Sequence, residues 1–250
     1  MATMWPRELP TDIRSSPIRT AEVRVFDALA EALNDEFVVF YSRPWLGEDR
    51  FGNERDGECD FLVAHADLGI LAVEVKGGGI AYDPLAEQWS SKDRNGIRHR
   101  IKNPIEQAQS AKHEALQRLK DHRQWKTRYI RIAHGVIFPN AAAPPTDLGA
   151  DKPRELFCCS RELNNGVREW ISQRMGEGLG HGDYEPLGTD GLRALEDIFA
   201  KPIQLKFTLG DQIADANRQL VALTPSQFHT IDMISGIRKA LVEGGAGTGK

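Results

Sequence analysis

The feature that most constrains the fold is the apolar segment 70–76, which carries Glu74 and Lys76 among aliphatic residues. Side chains alternate between the two faces of a strand, so Glu74 and Lys76 would share one face of an otherwise apolar strand. Burying a carboxylate and an ammonium group costs free energy unless the two groups are paired or used. The segment therefore predicts a central strand whose charged pair is either a structural ion pair or part of a functional site.

A second predicted strand, residues 58–63, carries another carboxylate, and residues 65–69 supply the turn between the two strands. A hairpin centred on Asp67 places Asp60 directly opposite Glu74, with Cβ atoms roughly 4.5–5.5 Å apart. Two carboxylates at that distance repel each other unless a proton or a divalent cation lies between them, and Mg²⁺ prefers such oxygen ligands. Lys76 would then lie beside a water molecule or a phosphate oxygen. The alternative is a surface hairpin with a cross-strand salt bridge.

Two predicted helices carry polar residues in their first turns. Helix 20–33 has an apolar stripe, and Thr20 as its N-cap puts Glu22 in the first turn. An acid at that position either complements the helix dipole or lies near the site. The second helix begins with Asn103 as cap and Pro104 at the first position, and Gln107 falls in its first turn, off the buried stripe. Gln107 is either a solvated residue or one that positions the reacting groups.

The order of these motifs resembles the nuclease-related domain, NERD, which belongs to the PD-(D/E)xK nuclease superfamily. The resemblance rests on segments 57–63, 73–78 and 103–107 and covers residues 19–137. Cys59 stands where the superfamily usually has a proline before the first aspartate. The resemblance implies an α/β fold of the restriction-endonuclease-like kind, in which a mixed sheet is flanked by helices.

The resemblance also implies an activity, the hydrolysis of phosphodiester bonds in DNA, and a set of site residues. Asp60, Glu74 and the backbone carbonyl of Val75 would bind Mg²⁺ or Mn²⁺. Lys76 would orient the attacking water or stabilise developing charge, as charged groups in such sites do. Gln107 would fix Lys76 or the DNA backbone, and Glu22 would add a further acid to the site.

Composition and charge are those of a soluble protein, with 40% hydrophobic and 27% charged residues. There is no apolar run of transmembrane length, and three cysteines form neither a disulfide framework nor a zinc spacing, so we expect a cytoplasmic protein without a membrane partner. The net charge is −4, but residues 92–131 hold twelve Lys or Arg and four Asp or Glu. This local excess favours DNA phosphate as a partner; the alternative is a solvated helix face with a charged loop.

The remaining pattern predicts the order of elements and domains. The expected elements are a helix at 20–33, strands at 37–42, 58–63 and 70–76, a polar hairpin or loop at 80–102, a helix from 103, strands at 129–138 and 156–159, and helices at 160–174 and 192–199. The expected regions are an irregular lead-in (1–18), the nuclease-like domain (19–137), a connecting region with helices (138–222) and a nucleotide-binding segment (223–250).

The last segment carries a second chemistry. A predicted buried strand at 239–243 runs into G-x-x-x-x-G-K, a loop whose backbone N–H groups and lysine cradle phosphates. The residues of this loop are Gly244, Gly245, Ala246, Gly247, Thr248, Gly249 and Lys250. Together with residues 224–227 the loop resembles superfamily 1 helicases of the UvrD/Rep kind, in which the glutamine, here Gln227, reads adenine. The fold expected there is the start of a RecA-like domain that binds ATP only in a longer parent chain, so this chain by itself should have no ATPase activity.

Three functions are compatible with the sequence. The first is a metal-dependent nuclease domain that precedes a helicase. The second is a catalytically inactive module that holds or targets nucleic acid for such a helicase. The third is a pure motor with the N-terminal domain as a scaffold. The sequence leaves self-association and partner proteins open.

Overall fold

A computed structural model describes residues 1–48, 54–93, 96–123, 125–126, 128–180 and 182–200; within residues 42–48 and 54–58 it describes the backbone alone. The predicted nucleotide-binding residues Gln227 and 244–250 lie outside the described residues. The expected RecA-like segment therefore stays a prediction from the sequence.

The described residues form nine strands and six α-helices. The strands are β1 (Thr3–Trp5), β2 (Phe37–Glu48), β3 (Glu54–His65), β4 (Gly69–Val75), β5 (Gly79–Asp83), β6 (Gln88–Lys92), β7 (Arg98–Arg100), β8 (Ile132–Phe138) and β9 (Phe157–Cys159). The helices are α1 (Thr11–Arg14), α2 (Thr20–Ala32), α3 (Pro104–Asp121), α4 (Ser160–Asn165), α5 (Val167–Arg174) and α6 (Gly188–Phe199).

Six of the strands form one mixed sheet in the order β1-β2-β3-β4-β8-β9. β2, β3 and β4 pair antiparallel, whereas β1 pairs parallel with β2 and both β8 and β9 continue the sheet in parallel from β4. Every residue of β4 is buried, because helices cover both faces of the sheet at this strand. The expected α/β class, with a mixed sheet flanked by helices, is confirmed.

The two faces of β4 pack against different helices. Leu71 and Val73 belong to a core that includes α2 and α5, and Ile70 and Ala72 belong to a core that includes α3 and α6. Glu74 continues the second series, since it lies two residues after Ala72. The face that carries Glu74 is thus the face on which α3 packs.

The turn between β3 and β4 is fixed by hydrogen bonds to His65 and by the close approach of Gly69 to the backbone of Arg131. The Nδ1 atom of His65 accepts hydrogen bonds from the backbone N–H groups of Asp67 (3.1 Å) and Leu68 (3.3 Å). Gly69 has φ +97°, and a Cβ atom there would lie 2.0 Å from the carbonyl oxygen of Arg131. These contacts give a hairpin centred on Asp67, which is the register predicted from the sequence.

The start of α3 also forms as the sequence predicts. Pro104 is its first residue, and the side-chain oxygen of Asn103 accepts a hydrogen bond from the backbone N–H of Ile105 at 3.1 Å. This bond satisfies one of the N–H groups that have no partner inside the first helical turn. α2 begins at Thr20 as expected, but its N-cap residue is Arg19 rather than Thr20.

Two expectations about the elements were wrong, and a third was incomplete. The lead-in 1–18 is not irregular, because residues 3–5 form β1 and Met4 is buried against the core; a three-residue strand is too short to show a period. The helix expected at 160–174 is two helices that meet at Gly166, a residue that weakens helices. The polar segment 80–102 contains the expected hairpin, β5 with β6, but β7 extends it to a separate sheet of three strands in the order β5-β6-β7.

Among the described residues, none of the helices combines the length and the apolar composition needed to cross a membrane.

Candidate functional site

Asp60 and Glu74 are the residues next to the last backbone pair of the β3–β4 ladder, Phe61 with Val73. They lie close enough for the negative charge of Glu74 to raise the pKa of Asp60. One carboxylate oxygen of Asp60 accepts a hydrogen bond from the backbone N–H of Val75 at 2.7 Å. The side chain of Asp60 therefore takes a place that a backbone carbonyl would hold in a continuing ladder.

The backbone of Val75 presents a second polar group to the same place. In a strand, the N–H and C=O groups of one residue point to the same side. The N–H of Val75 points toward Asp60, whereas the N–H of Lys76 donates to the carbonyl of Ile137 on the opposite side, at 3.1 Å. The carbonyl oxygen of Val75 is thereby directed to the side of Asp60, where the sequence predicts a metal ligand.

Lys76 forms an ion pair with Glu74, and the Nζ and Oε1 atoms are 2.5 Å apart. The side chain of Glu74 is only 4% exposed, whereas that of Lys76 is 25% exposed. A carboxylate so deeply buried requires a partner of opposite charge. The ammonium group supplies that partner and also reaches solvent at the carboxyl end of β4.

The pKa of Asp60 is raised from 3.8 to about 8. Burial of the carboxyl group is the largest cause, and the negative charge of Glu74 is the second. The hydrogen bond from Val75 and the positive charge of Lys76 oppose this increase, and the charge of Glu22 adds to it. The pair of carboxylates therefore attracts either a proton or a cation, as expected for like charges in close proximity.

Glu22 is bound by two residues that the sequence did not single out. The hydroxyl of Tyr41 donates to Oε2 of Glu22 at 2.5 Å, and the guanidinium group of Arg19 lies 3.2 Å from the same oxygen. Arg19 also contacts the hydroxyl of Tyr41 at 3.2 Å. Burial and the bond to Glu22 raise the pKa of Tyr41, so the phenol stays protonated. The spacing of Arg19 and Glu22 was a possible signal, but Tyr41 comes from a different element.

The cysteine before Asp60 is a packing residue. Cys59 is buried, and its thiol donates a hydrogen bond to the carbonyl of Phe61 at 3.0 Å. Burial and the charges of Asp60 and Glu74 raise the pKa of the thiol well above its usual value. A protonated, buried thiol is not a nucleophile, so Cys59 fills the place of the usual proline without adding chemistry of its own.

Gln107 lies in the first turn of α3, on the row of the helix that continues to Ala111. Ala111 packs in the same core as Ala72 of β4, and Glu74 follows Ala72 on the same face. The side-chain oxygen of Gln107 is buried and has no hydrogen-bond partner among the described residues. Gln107 thus carries an unsatisfied acceptor on the face of α3 that packs against the strand of Glu74 and Lys76.

The donor atoms of the site fit a hard cation. Asp60, Glu74 and the carbonyl of Val75 offer oxygen ligands, which Mg²⁺ and Mn²⁺ prefer over nitrogen or sulfur. The described residues contain no cluster of three or more His, Cys, Asp and Glu side chains that could hold a metal ion. The structure thus groups Asp60 with Glu74 and does not bring Glu22 into a three-carboxylate cluster with them.

The three glycines after Lys76 bring neighbouring elements close to the strand end. A Cβ atom on Gly77 would lie 2.8 Å from the Cβ of Ala21, and one on Gly78 would lie 2.7 Å from the carbonyl oxygen of Lys92. Residues without a side chain leave room beside the end of a strand. Much of that room is filled by α2 and β6, but an open groove of ≈ 670 Å³ remains; its lining includes Thr20, Ala21, Gly77, Gly78, Lys92 and Asn140.

Comparison with known families matched part of the chain. Residues 19–139 match NERD, the nuclease-related domain. The chain contains a nuclease-related domain. The matched range spans the elements from α2 to β8 and includes Glu22, Asp60, Glu74, Lys76 and Gln107. Searches of curated proteins and of solved structures gave no match.

Proposed function

We propose that the nuclease-related domain is a metal-dependent nuclease of the PD-(D/E)xK kind, which hydrolyses phosphodiester bonds in DNA. The observation that carries the proposal is the neighbouring pair Asp60 and Glu74 at the end of the β3–β4 ladder, with the pKa of Asp60 raised to about 8. Mutual repulsion of this kind disfavours the folded state unless a cation or a proton offsets it. Such a cost is expected at a site retained for its chemistry.

Asp60, Glu74 and the carbonyl of Val75 would hold Mg²⁺ or Mn²⁺. When bound, the metal polarises the scissile phosphate and lowers the pKa of water. The carboxylates of Asp60 and Glu74 supply the negative charge that would attract the cation into this partly buried site. Glu22, held by Tyr41 and Arg19, adds negative charge near Asp60 without needing to contact the metal.

Lys76 has the exposure and the charge for a role in the reaction. Its ammonium group lies between the buried Glu74 and solvent, where a phosphate oxygen or the attacking water can reach it. There it would stabilise the negative charge that develops on the phosphate or orient the water through a hydrogen bond. The unsatisfied side-chain oxygen of Gln107 would accept a hydrogen bond from Lys76, or its amide N–H group would donate one to the DNA backbone.

The test of this assignment is cleavage of supercoiled plasmid and single-stranded DNA by the wild type and by Lys76→Ala. We expect cleavage with Mg²⁺ or Mn²⁺, none with EDTA, and a loss of at least about a hundredfold in Lys76→Ala. Lys120→Ala, which removes an exposed charge at the far end of α3, is the matched control and should cleave like the wild type. Full cleavage by a folded Lys76→Ala variant would contradict the role of Lys76.

A second function is favoured by one observation. The ion pair between Lys76 and Glu74 partly neutralises the carboxylate that a metal would need, as expected of a nuclease fold that binds nucleic acid without cutting it. Salt-dependent binding of DNA by the wild type, with no cleavage under any divalent metal, would select this inactive module over the nuclease.

We also infer that the domain precedes an ATP-binding motor of superfamily 1. The inference rests on the predicted strand 239–243 and the phosphate-binding loop 244–250, with Gln227 as the adenine-reading residue. An antibody raised against the nuclease-related domain tests it in the natural source. A polypeptide much heavier than 27.9 kDa is expected, and a band at 27.9 kDa would contradict the inference.

A further inference from the structure

The small sheet β5-β6-β7 begins directly after the strand that carries Glu74 and Lys76. Residues 77 and 78 form the connection, and the hydroxyl of Ser91 in β6 donates a hydrogen bond to the carbonyl of Gly77 at 3.0 Å. The groove of ≈ 670 Å³ at the strand end has Lys92 of β6 in its lining. The small sheet is thus hydrogen-bonded to the connection that follows Lys76, and Lys92 shares a groove with residues 77–79 of that connection.

The two faces of the small sheet have different character. Directly paired residues of antiparallel strands lie on the same face, and Tyr82 pairs with Trp89. These two rings, 4.8 Å apart, belong to the inner face, which packs on the core around Phe138. The opposite face, called here the outer face, carries Gly79, Ala81, Asp83, Gln88, Ser90, Lys92, Arg98 and Arg100.

The outer face concentrates positive charge beside small residues. Lys92, Arg98 and Arg100 are all exposed, and none of the three has a salt bridge to a described residue. The positions next to them on the outer face are small, since Gly79 pairs with Lys92 and Ser90 pairs with Arg100. A long molecule can therefore lie close to the backbone of the sheet between the cations.

The pairing of Lys92 with Arg98 does not stabilise the sheet. The two residues are directly opposite each other, and like charges in that position are destabilising. Charges on an edge strand protect it from pairing with other chains, which accounts for Arg98 on β7. It does not account for Lys92, because β6 is the central strand. An anionic partner would remove this repulsion.

We propose that the outer face of the small sheet binds the sugar–phosphate backbone of a nucleic-acid strand that leads to the candidate site. Lys92, Arg98 and Arg100 contact successive phosphates, and the groove that Lys92 shares with Gly77 and Gly78 borders the connection directly after Lys76. Phosphate is the ligand that clustered Lys and Arg side chains recognise without sequence preference. The proposal deepens the proposed function, on which it rests for the identity of the substrate.

The test measures binding and not cleavage. A fluorescein-labelled 30-nucleotide single strand of DNA is titrated in EDTA at several KCl concentrations, followed by anisotropy. One variant, called the small-sheet variant, carries the three substitutions Lys92→Gln, Arg98→Gln and Arg100→Gln together. Loss of three phosphate contacts should weaken binding roughly 30- to 100-fold at 0.1 M salt and lower the slope of log K against log [KCl] by about 2.

The matched control is a second triple variant, which carries Lys120→Gln, Arg123→Gln and Lys126→Gln together. These exposed cations belong to the same basic stretch and give the same charge change, but they lie at and beyond the far end of α3. Binding and slope of this variant should stay within about threefold of the wild type. An equal loss in both variants, or unchanged binding in the small-sheet variant, would overturn the proposal.

Further outcomes distinguish this binding surface from non-specific binding to anions and from the proposed nuclease activity. Equal, salt-dependent binding of the wild type to vesicles of anionic lipid would overturn it, because charge alone would then explain the DNA binding. Wild-type binding that depends on the outer face, without metal-dependent cleavage, would support the surface and contradict the nuclease. Metal-dependent cleavage that is equal in the wild type and the small-sheet variant would support the nuclease and contradict the binding surface.

Discussion

At the scale of single residues, the site is organised around a buried negative charge and its partners. Glu74 is held by Lys76, Asp60 by the N–H of Val75, and Glu22 by Tyr41 and Arg19. Each carboxylate thus has its own donor, and hydrogen bonds to charged groups are the stronger ones in proteins. The geometry of the three acids should depend on these donors.

Tyr41 provides the clearest test of such a donor. Tyr41→Phe removes the hydroxyl bonded to Glu22 but keeps the ring in the core. We expect a roughly tenfold lower cleavage rate, which corresponds to about 1.4 kcal/mol, because Glu22 loses a hydrogen bond that orients it. Tyr129→Phe, at an exposed ring in the segment before β8, should leave cleavage unchanged. An unaltered cleavage rate in Tyr41→Phe would remove Tyr41 from the site.

At the scale of elements, the hairpin β3–β4 fixes the relation between Asp60 and Glu74. Its turn relies on His65 and on Gly69, whose positive φ and close approach to Arg131 exclude a side chain. A shift of one residue in this register would move Glu74 to the opposite face of the sheet. The turn therefore contributes to function although it lies at the far end of the strand.

Gly69→Ala tests the turn, and Gly178→Ala is its matched control. Both glycines have positive φ, +97° and +80°, but a Cβ atom at Gly69 would lie 2.0 Å from a backbone oxygen and one at Gly178 would meet nothing within 4 Å. We expect Gly178→Ala to lower the free energy of unfolding by about 1 kcal/mol and Gly69→Ala by at least about 3 kcal/mol. Urea denaturation measures both, and equal losses would show that the contact with Arg131 is not rigid.

The hairpin register could be predicted from the sequence because period-two alternation and a short turn leave few alternatives. The hydrogen bond between Tyr41 and Glu22 could not be predicted, since it joins a strand and a helix that only tertiary packing brings together. The small sheet was expected only as a hairpin or loop. Its third strand, Arg98–Arg100, is exposed throughout and shows no alternation of apolar residues. The nucleotide-binding segment stays a prediction from its sequence motif.

At the scale of the whole molecule, the raised pKa of Asp60 links folding to pH. Between about pH 4 and pH 8 the folded protein keeps a proton that the unfolded chain has released. The free energy of unfolding should therefore fall as the pH rises through this window and level off above it. Asp60→Asn removes the titrating group and with it this dependence.

Urea denaturation in EDTA at pH 4, 6 and 8 tests this linkage. We expect Asp60→Asn to match the wild type near pH 4 and to exceed its stability by roughly 2–4 kcal/mol at pH 8. This is less than the full linkage value, since water reaches part of the side chain. A stability difference that is constant with pH, or that favours the wild type at pH 8, would contradict the raised pKa.

We propose that the pair Asp60 and Glu74 makes this nuclease-related domain a metal-dependent nuclease. Plasmid cleavage by the wild type, Glu74→Ala and Glu114→Ala, each with Mg²⁺, Mn²⁺ or EDTA, is the experiment to carry out first. Glu114 forms an ion pair with Arg118 on α3 and serves as the control. We expect metal-dependent cleavage by the wild type and Glu114→Ala and none by Glu74→Ala. Cleavage that survives in folded Glu74→Ala, or a wild type inactive with every metal, would contradict this proposal.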